Sequence, residues 1–156
     1  MKQSQPAGGF ESAPPDSENE RLRADIARLS SLAEQYDFIS RHTNEVIWRM
    51  DLKFRYTFIS PSVERLRGYT VEEAMAQSLD DILSLKSSKT ARALLADALS
   101  AEDRQHQPVR LVLDRRHKDG SLRPTEMIVS FDLDTNGKPT GIIGVSRQLN
   151  ESTPAT

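Results

Sequence analysis

The sequence predicts an α+β fold: a five-stranded antiparallel sheet with short helices on one face, preceded by a separate helix. Two stretches, residues 45–60 and 109–147, alternate apolar and polar side chains with the period of β-strands. The stretch between them carries helix caps and helical spacing. Strands that come in runs, rather than alternating singly with helices, favour an antiparallel sheet.

Length and charge limit the function classes. A chain of 156 residues is long enough for one domain with tails. Lys and Arg total 21 against 23 Asp and Glu, and this balance argues against nucleic-acid binding, which needs a basic surplus. There is no cysteine, which excludes disulfides, thiolate metal sites and cysteine nucleophiles.

No targeting or membrane segment is expected. No apolar run approaches the roughly 20 residues of a membrane helix, and no apolar stretch follows Lys2 as in a secretory signal. We therefore expect a cytoplasmic protein. Residues 1–16, rich in Pro and Gly, and residues 150–156 predict a disordered tail and a C-terminal tail or linker.

The first helix is predicted over residues 17–43. Its apolar residues alternate spacings of four and three, as in a heptad seam, and an Asn on that seam can fix the register of a parallel dimer. Leu32 and Ile39 widen the apolar face, so a helix packed on its own domain remains the alternative. The candidate homodimer contacts are Asn19, Leu22, Ile26, Leu29, Ala33 and Tyr36.

A hairpin and several short helices follow. The strands are predicted at Glu45–Asp51 and Phe54–Ser60. Ser60 is expected to cap the next helix, with Pro61 in its first position and Gly68 after its end. Thr70–Glu73 is a capping box.

A longer helix closes the helical region. Ser87 or Ser88 is expected to cap it, and it extends to about Ala101. The carboxylate pairs Glu72-Glu73 and Asp80-Asp81 are interpreted as caps, because neighbours on a helix point apart. The inward face of the long helix is Ala91, Leu94, Leu95, Ala98 and Leu99.

The last third predicts three strands. Lys118–Ser121 and Asn136-Gly137 are the hairpin turns between them. Pro124 lacks a ladder donor and predicts an edge position or a bulge. The basic residues Arg110, Arg115, Arg116, Lys118 and Arg123 are interpreted as a solvated sheet edge, with docking to an acidic partner as the alternative.

This order of elements resembles the PAS domain from Glu45 to Leu149, about two-thirds of the chain. The residues that carry the resemblance are Val46-Ile-Trp-Arg-Met-Asp51, Ser60-Pro-Ser-Val-Glu-Arg-Leu66 with Gly68-Tyr-Thr70, Arg115-Arg-His-Lys-Asp-Gly-Ser121 and Gly141-Ile-Ile-Gly-Val-Ser-Arg147. They are similar to the PAS domains of bacterial sensor histidine kinases and diguanylate cyclases. The usual closing Arg-Asp-Ile-Thr is here Arg147-Gln-Leu-Asn150.

The resemblance implies a sensory module of bacterial signal transduction. Such a module senses a small molecule and relays it through dimer rearrangement to an effector, a histidine kinase or a diguanylate cyclase, in cis or in trans. The alternative is a ligand-free dimerisation or protein-interaction module. An enzyme is not expected, because no nucleophile, acid–base pair or metal spacing is present, and no catalytic or metal residue is proposed.

The cofactor remains open, although two are disfavoured. Haem-binding PAS domains use a histidine on the long helix, and the helix predicted near residues 88–101 has none. His42, His106 and His117 are the histidines of the chain. The flavin photochemistry of light-sensing PAS domains needs a cysteine, and this chain has none.

A pocket between the sheet and the helices is the expected ligand site. Its polar candidates are Tyr56 and Ser130. Plain core packing is the alternative for each residue, and the strand face that points inward is left open. The other sheet face needs a cover, for which the first helix, in cis or from a partner chain, is the candidate. The apolar pocket candidates are Leu66, Tyr69, Ile82, Leu95, Leu111, Met127, Val129, Ile143 and Val145.

Overall fold

The computed structural model describes residues 15–102 and 105–149, and the chain divides into two compact units between Tyr36 and Asp37. Helix α1 (Pro15–His42) confirms the predicted first helix and begins two residues earlier than expected. Most of the predicted tails, residues 1–14 and 150–156, lie outside the described residues. None of the described helices combines the length and apolarity that a membrane crossing requires.

The second unit contains the predicted antiparallel sheet of five strands, in the order β2-β1-β5-β4-β3. Short helices and one longer helix lie between β2 and β3 in the sequence, as predicted. The elements are β1 (Glu45–Asp51), β2 (Tyr56–Ile59), α2 (Ser62–Arg67), α3 (Val71–Met75), α4 (Leu79–Ile82), α5 (Leu85–Leu99), β3 (Val109–Arg116), β4 (Leu122–Leu133) and β5 (Pro139–Gln148).

The inner face of the sheet is organised around Trp48 on β1. The alternation of β1 buries Val46, Trp48 and Met50. Trp48 lies opposite Gly144 of β5, and a Cβ at residue 144 would lie 2.7 Å from Trp48 Cε2. The indole N–H donates to Ser146 Oγ at 2.6 Å. The ring therefore lies across β5 where the glycine leaves space.

Local capping chemistry confirms several predicted boundaries. Gly68 ends α2 in the left-handed conformation with φ 79°. Thr70 and Glu73 form the predicted capping box of α3, and the accepted backbone bond lowers the pKa of Glu73. Asp81 caps α4 through a second capping box with Ser78. Asp80 has a different role, because its carboxylate accepts from the Ser88 hydroxyl.

Two predicted caps are wrong. Ser60 does not cap α2, because its hydroxyl accepts the backbone N–H of Ile47 at 2.9 Å, which ties β1 to the start of α2. Ser84, rather than Ser87 or Ser88, caps α5. The backbone N–H of Ser87 donates to the Ser84 hydroxyl, while the Ser87 hydroxyl accepts the backbone N–H of Asp114 on β3. Ser60 and Ser87 instead each join neighbouring elements.

Pro124 lies in neither predicted setting. It pairs with Asp114 inside β4, which is an interior strand, and the register is regular there. Its carbonyl accepts from Leu149 N at 3.0 Å, just beyond the end of β5. Because the N and C=O of a strand residue point to the same side, the missing donor faces the place where β5 ends. The sheet therefore loses little by having proline there.

We predict that Gly144→Ala lowers the free energy of unfolding by about 1–3 kcal/mol, because the added methyl overlaps the Trp48 ring. Urea unfolding monitored by circular dichroism measures the loss. The cost should shrink in a Trp48→Phe background, which removes the outer atoms of the indole. An equal cost in both backgrounds would contradict the overlap as its cause.

Candidate ligand-binding site

A cavity of about 250 Å³ lies between α5 and the inner face of the sheet. Most of its wall is apolar, with aromatic rings from Trp48, Phe54, Tyr56 and Phe131. Pockets of a few hundred Å³ with apolar walls and few polar groups are typical of small-molecule sites. The other lining residues are Met50, Leu79, Ile82, Leu83, Ala91, Leu94, Leu95, Asp97, Ala98, Gln107, Val109, Leu111, Leu113, Arg115, Met127, Val129, Ser130 and Ile142.

The size of the side chains on α5 explains why space remains. Ala91 and Ala98 face the sheet with single methyl groups, and neither reaches the opposite wall. Leu94 and Leu95 complete this face, while Leu99, expected to point inward, is 38% exposed and does not line the cavity. The helix therefore covers the sheet without filling the gap beneath it.

A buried polar contact lies on the cavity wall. Arg115 on β3 is 4% exposed, and its Nη2 donates to the Tyr56 hydroxyl on β2 at 2.9 Å. Strands β2 and β3 are the two edges of the sheet, so this hydrogen bond joins the edges across its inner face. The sheet must be strongly curved for its edges to meet in this way.

The remaining polar wall comes from Asp97 on α5 and Gln107 just before β3. Phe54 enters from the β1–β2 turn with a positive φ of 60°, a conformation in which bulky residues are uncommon. The Arg92 guanidinium lies 5.8 Å from the centre of the Phe54 ring. This turn residue thereby contributes an aromatic wall that the hairpin alone would not provide.

The structure brings together seven of the predicted pocket residues: Tyr56, Ile82, Leu95, Leu111, Met127, Val129 and Ser130. Ser130 borders the cavity, but the alternation of β4 places its side chain, with that of its partner Ile143, on the face opposite to Val129, so its hydroxyl faces away from the cavity. Val145 shares that outer face, so Ile143 and Val145 lie outside the cavity. Leu66 lines a separate smaller cavity, and the Tyr69 ring faces the Arg67 guanidinium at 5.0 Å.

Sequence reasoning missed the residues that form much of the wall. Trp48, Met50 and Leu113 line the cavity together with Phe54 and Ile142. The alternation of β1 already placed Trp48 and Met50 on one face. The missing information was which face points inward, which depends on pairing with strands distant in sequence.

The interpretation of the basic hairpin as a solvated edge is wrong for Arg115, which is buried, and Arg116 is half-buried. It holds for Arg110, which is exposed. A second buried arginine, Arg67 on α2, was not singled out from the sequence at all. The signal available for Arg115 was its place in the alternation with Leu111 and Leu113.

The candidate dimer residues lie along α1, where Asn19, Leu22, Ile26, Leu29, Ala33 and Tyr36 are all exposed in the single chain. Their role in a dimer stays a prediction. Within the described residues, no group of three or more His, Asp or Glu is placed to hold a metal ion.

A family model described as the PAS fold matches residues 56–146, more than half of the chain. The chain belongs to this family. No curated protein sequence matches it. The resemblance seen in the sequence motifs is therefore confirmed, and the cavity is the interior space of a PAS domain.

Solved PAS structures share the fold at low sequence identity. The PAS domain of an HTR-like protein from Haloarcula marismortui matches with a TM-score of 0.65 and 12% identity, covering 81% of this chain and 99% of that one. A PAS domain from Colwellia psychrerythraea gives 0.61 and 21%, covering 78% and 96%. A domain of a sensory box sensor histidine kinase/response regulator from Geobacter sulfurreducens gives 0.55 and 23%, covering 76% and 96%.

We predict that Tyr56→Phe lowers the free energy of unfolding by about 1–3 kcal/mol, because it leaves a buried Arg115 donor without its partner. Chemical denaturation measures the change. Tyr69→Phe is the matched control, since its ring stays over Arg67 and only the hydroxyl of a half-buried residue is lost. Equal losses in the two variants would contradict a stabilising role for the Arg115–Tyr56 bond.

Proposed function

We propose that this PAS domain is a sensory module that binds a small molecule in the cavity beneath α5 and relays its presence to an effector. The observation that carries the proposal is the space itself: about 250 Å³ remains open among the side chains of a core that is otherwise packed. Protein interiors leave few voids larger than a water molecule, so a gap of this size is a specific feature of the fold.

The wall chemistry indicates the class of ligand. Carbon side chains dominate, and the volume corresponds to roughly eight waters at about 30 Å³ each, the size of a one- or two-ring molecule. The Tyr56 hydroxyl accepts from Arg115, and no acceptor for its own proton is found among the described residues. The ligand is therefore an apolar, ring-sized molecule with one hydrogen-bond acceptor directed at Tyr56.

The relay is proposed to run through a homodimer of α1. Its apolar seam, with Asn19 in register, has the pattern of a short parallel coiled coil. The helix ends at His42, three residues before β1, so the chain passes directly from the seam into the sheet. A ligand acts by shifting the population of two dimer arrangements. The effector is proposed to be a histidine kinase or a diguanylate cyclase, in cis or in trans.

We predict that acetophenone, a ring with one carbonyl acceptor, raises Tm by about 4 °C at a concentration tenfold above its Kd. Ala98→Phe fills the cavity from α5 and should abolish the shift. Ala96→Phe places the same ring on an exposed, non-lining position of the same helix and should leave it unchanged. Differential scanning fluorimetry measures all three proteins.

A second comparison tests the role of Tyr56. Cumene has nearly the shape of acetophenone without the acceptor, and should bind about three- to tenfold more weakly. The difference should disappear in Tyr56→Phe. If neither compound, nor any member of a metabolite library, stabilises the wild-type domain, the ligand-free interaction module becomes the better account.

We predict that Ile26→Glu shifts the protein from dimer toward monomer in sedimentation velocity, because it buries charge at the centre of the proposed seam. Arg28→Glu changes charge by a larger amount on the same helix but off the seam, and should leave the dimer intact. A monomeric wild type would contradict the proposed dimer. A dimer that survives Ile26→Glu would place the interface outside the seam of α1.

A further inference from the structure

A second, smaller cavity of about 20 Å³ lies among residues of α2, the β3–β4 hairpin and β5. Its wall is strongly cationic. No carboxylate lines it, while Arg67, Arg115, Arg116, Arg123 and His117 all do. The remaining lining residues are Val46, Leu66, Thr125, Ser146 and Gln148.

Two of these arginines are buried without a charged partner. Arg67 and Arg115 are 5% and 4% exposed, and Arg67 Nε, Arg67 Nη1 and Arg115 Nε have no hydrogen-bond partner. The bonds that the two guanidinium groups do make go to neutral acceptors: Gln77 Oε1, the Arg116 carbonyl and the Tyr56 hydroxyl. Three cationic N–H groups therefore remain unsatisfied in the interior.

The other basic residues of the wall already have partners. Arg123 pairs with Asp119 at 2.7 Å, and His117 Nδ1 lies 3.2 Å from the same carboxylate. Arg116 Nε donates to the Leu83 carbonyl at 3.2 Å. Arg116 has only this neutral acceptor but is half-buried, so the fully buried positive charge without a charged partner is that of Arg67 and Arg115.

The cost of burying this charge lowers the pKa of Arg67. Burial and the charge of Arg115 lower the pKa of Arg67 to about 10, while the nearby Tyr56 and Tyr69 raise it. Buried charges in proteins are paired or bound to an ion, because the desolvation of an isolated charge is costly. Among the described residues, no carboxylate forms an ion pair with Arg67 or Arg115.

We propose that this cavity binds one chloride ion, held by Arg67 from α2 and Arg115 from β3. The volume is that of a single water-sized particle, which favours a small monatomic anion over sulfate or phosphate. A water molecule would offset no charge, whereas chloride would offset one of the two buried positive charges. The ion joins the helix to the edge strand and fixes the arginine that also donates to Tyr56.

Thermal unfolding of the full chain tests the site. Sodium chloride replaces sodium gluconate at constant ionic strength, so that only the small anion changes. Above saturation, each tenfold increase in chloride should raise Tm by about 4 °C. Arg67→Met should lose the dependence, and the matched control Arg110→Met, an exposed strand arginine, should keep it. A chloride-independent wild type, or a dependence that survives Arg67→Met, overturns the proposal.

A second measurement does not depend on the folding of a variant. Crystals of the wild-type protein soaked in sodium bromide should show an anomalous peak within hydrogen-bond distance of Arg67 Nε and Arg115 Nε. Density for water alone, or no peak at this position while bromide is seen elsewhere, overturns the proposal.

Discussion

The hydrogen bond from Arg115 to Tyr56 joins the two edge strands of the sheet at 2.9 Å, and much of the architecture depends on it. A five-stranded sheet whose edges meet must curl, and the curl makes its inner face concave. The bond also places a guanidinium and a phenol on the wall of the large cavity. Arg115 also lines the small cationic cavity.

The large cavity follows from how the concave face is covered. Trp48 can lie over β5 only because residue 144 has no side chain, and its indole is fixed by Ser146. Helix α5 then faces this floor with alanines that leave the space between them open. Filling such a space with larger side chains would be expected to stabilise the domain, so its persistence is consistent with a ligand.

Local chemistry made part of this fold predictable. The limits of β1, the Thr70–Glu73 capping box and the left-handed Gly68 each depend on residues within one turn or strand. The errors concern contacts distant in sequence. The hydroxyls of Ser60 and Ser87 accept the backbone N–H groups of Ile47 and Asp114 on other elements. The residues next to a serine in the sequence do not show whether it caps a helix or bonds such a distant partner.

The residues of the candidate site also divide into those that local patterns predict and those that depend on distant contacts. The apolar patterns of strands and helices identified most of the seven predicted residues that border the cavity, whereas the inward face of β5, and with it the exclusion of Ile143 and Val145, required the register of the whole sheet. The burial of Arg67 and Arg115 ran against the ordinary behaviour of arginine, which is mostly exposed. The rule that arginine is exposed therefore gives no indication of the small cavity.

The space beneath α5 is proposed to be a preformed apolar binding site. Xenon enters empty apolar cavities of this kind without needing a specific partner. Crystals pressurised with xenon therefore give the most direct test. We expect a xenon atom among Trp48, Leu95 and Met127, with the wall unmoved. A wall collapsed onto α5, with no xenon between helix and sheet, would contradict it.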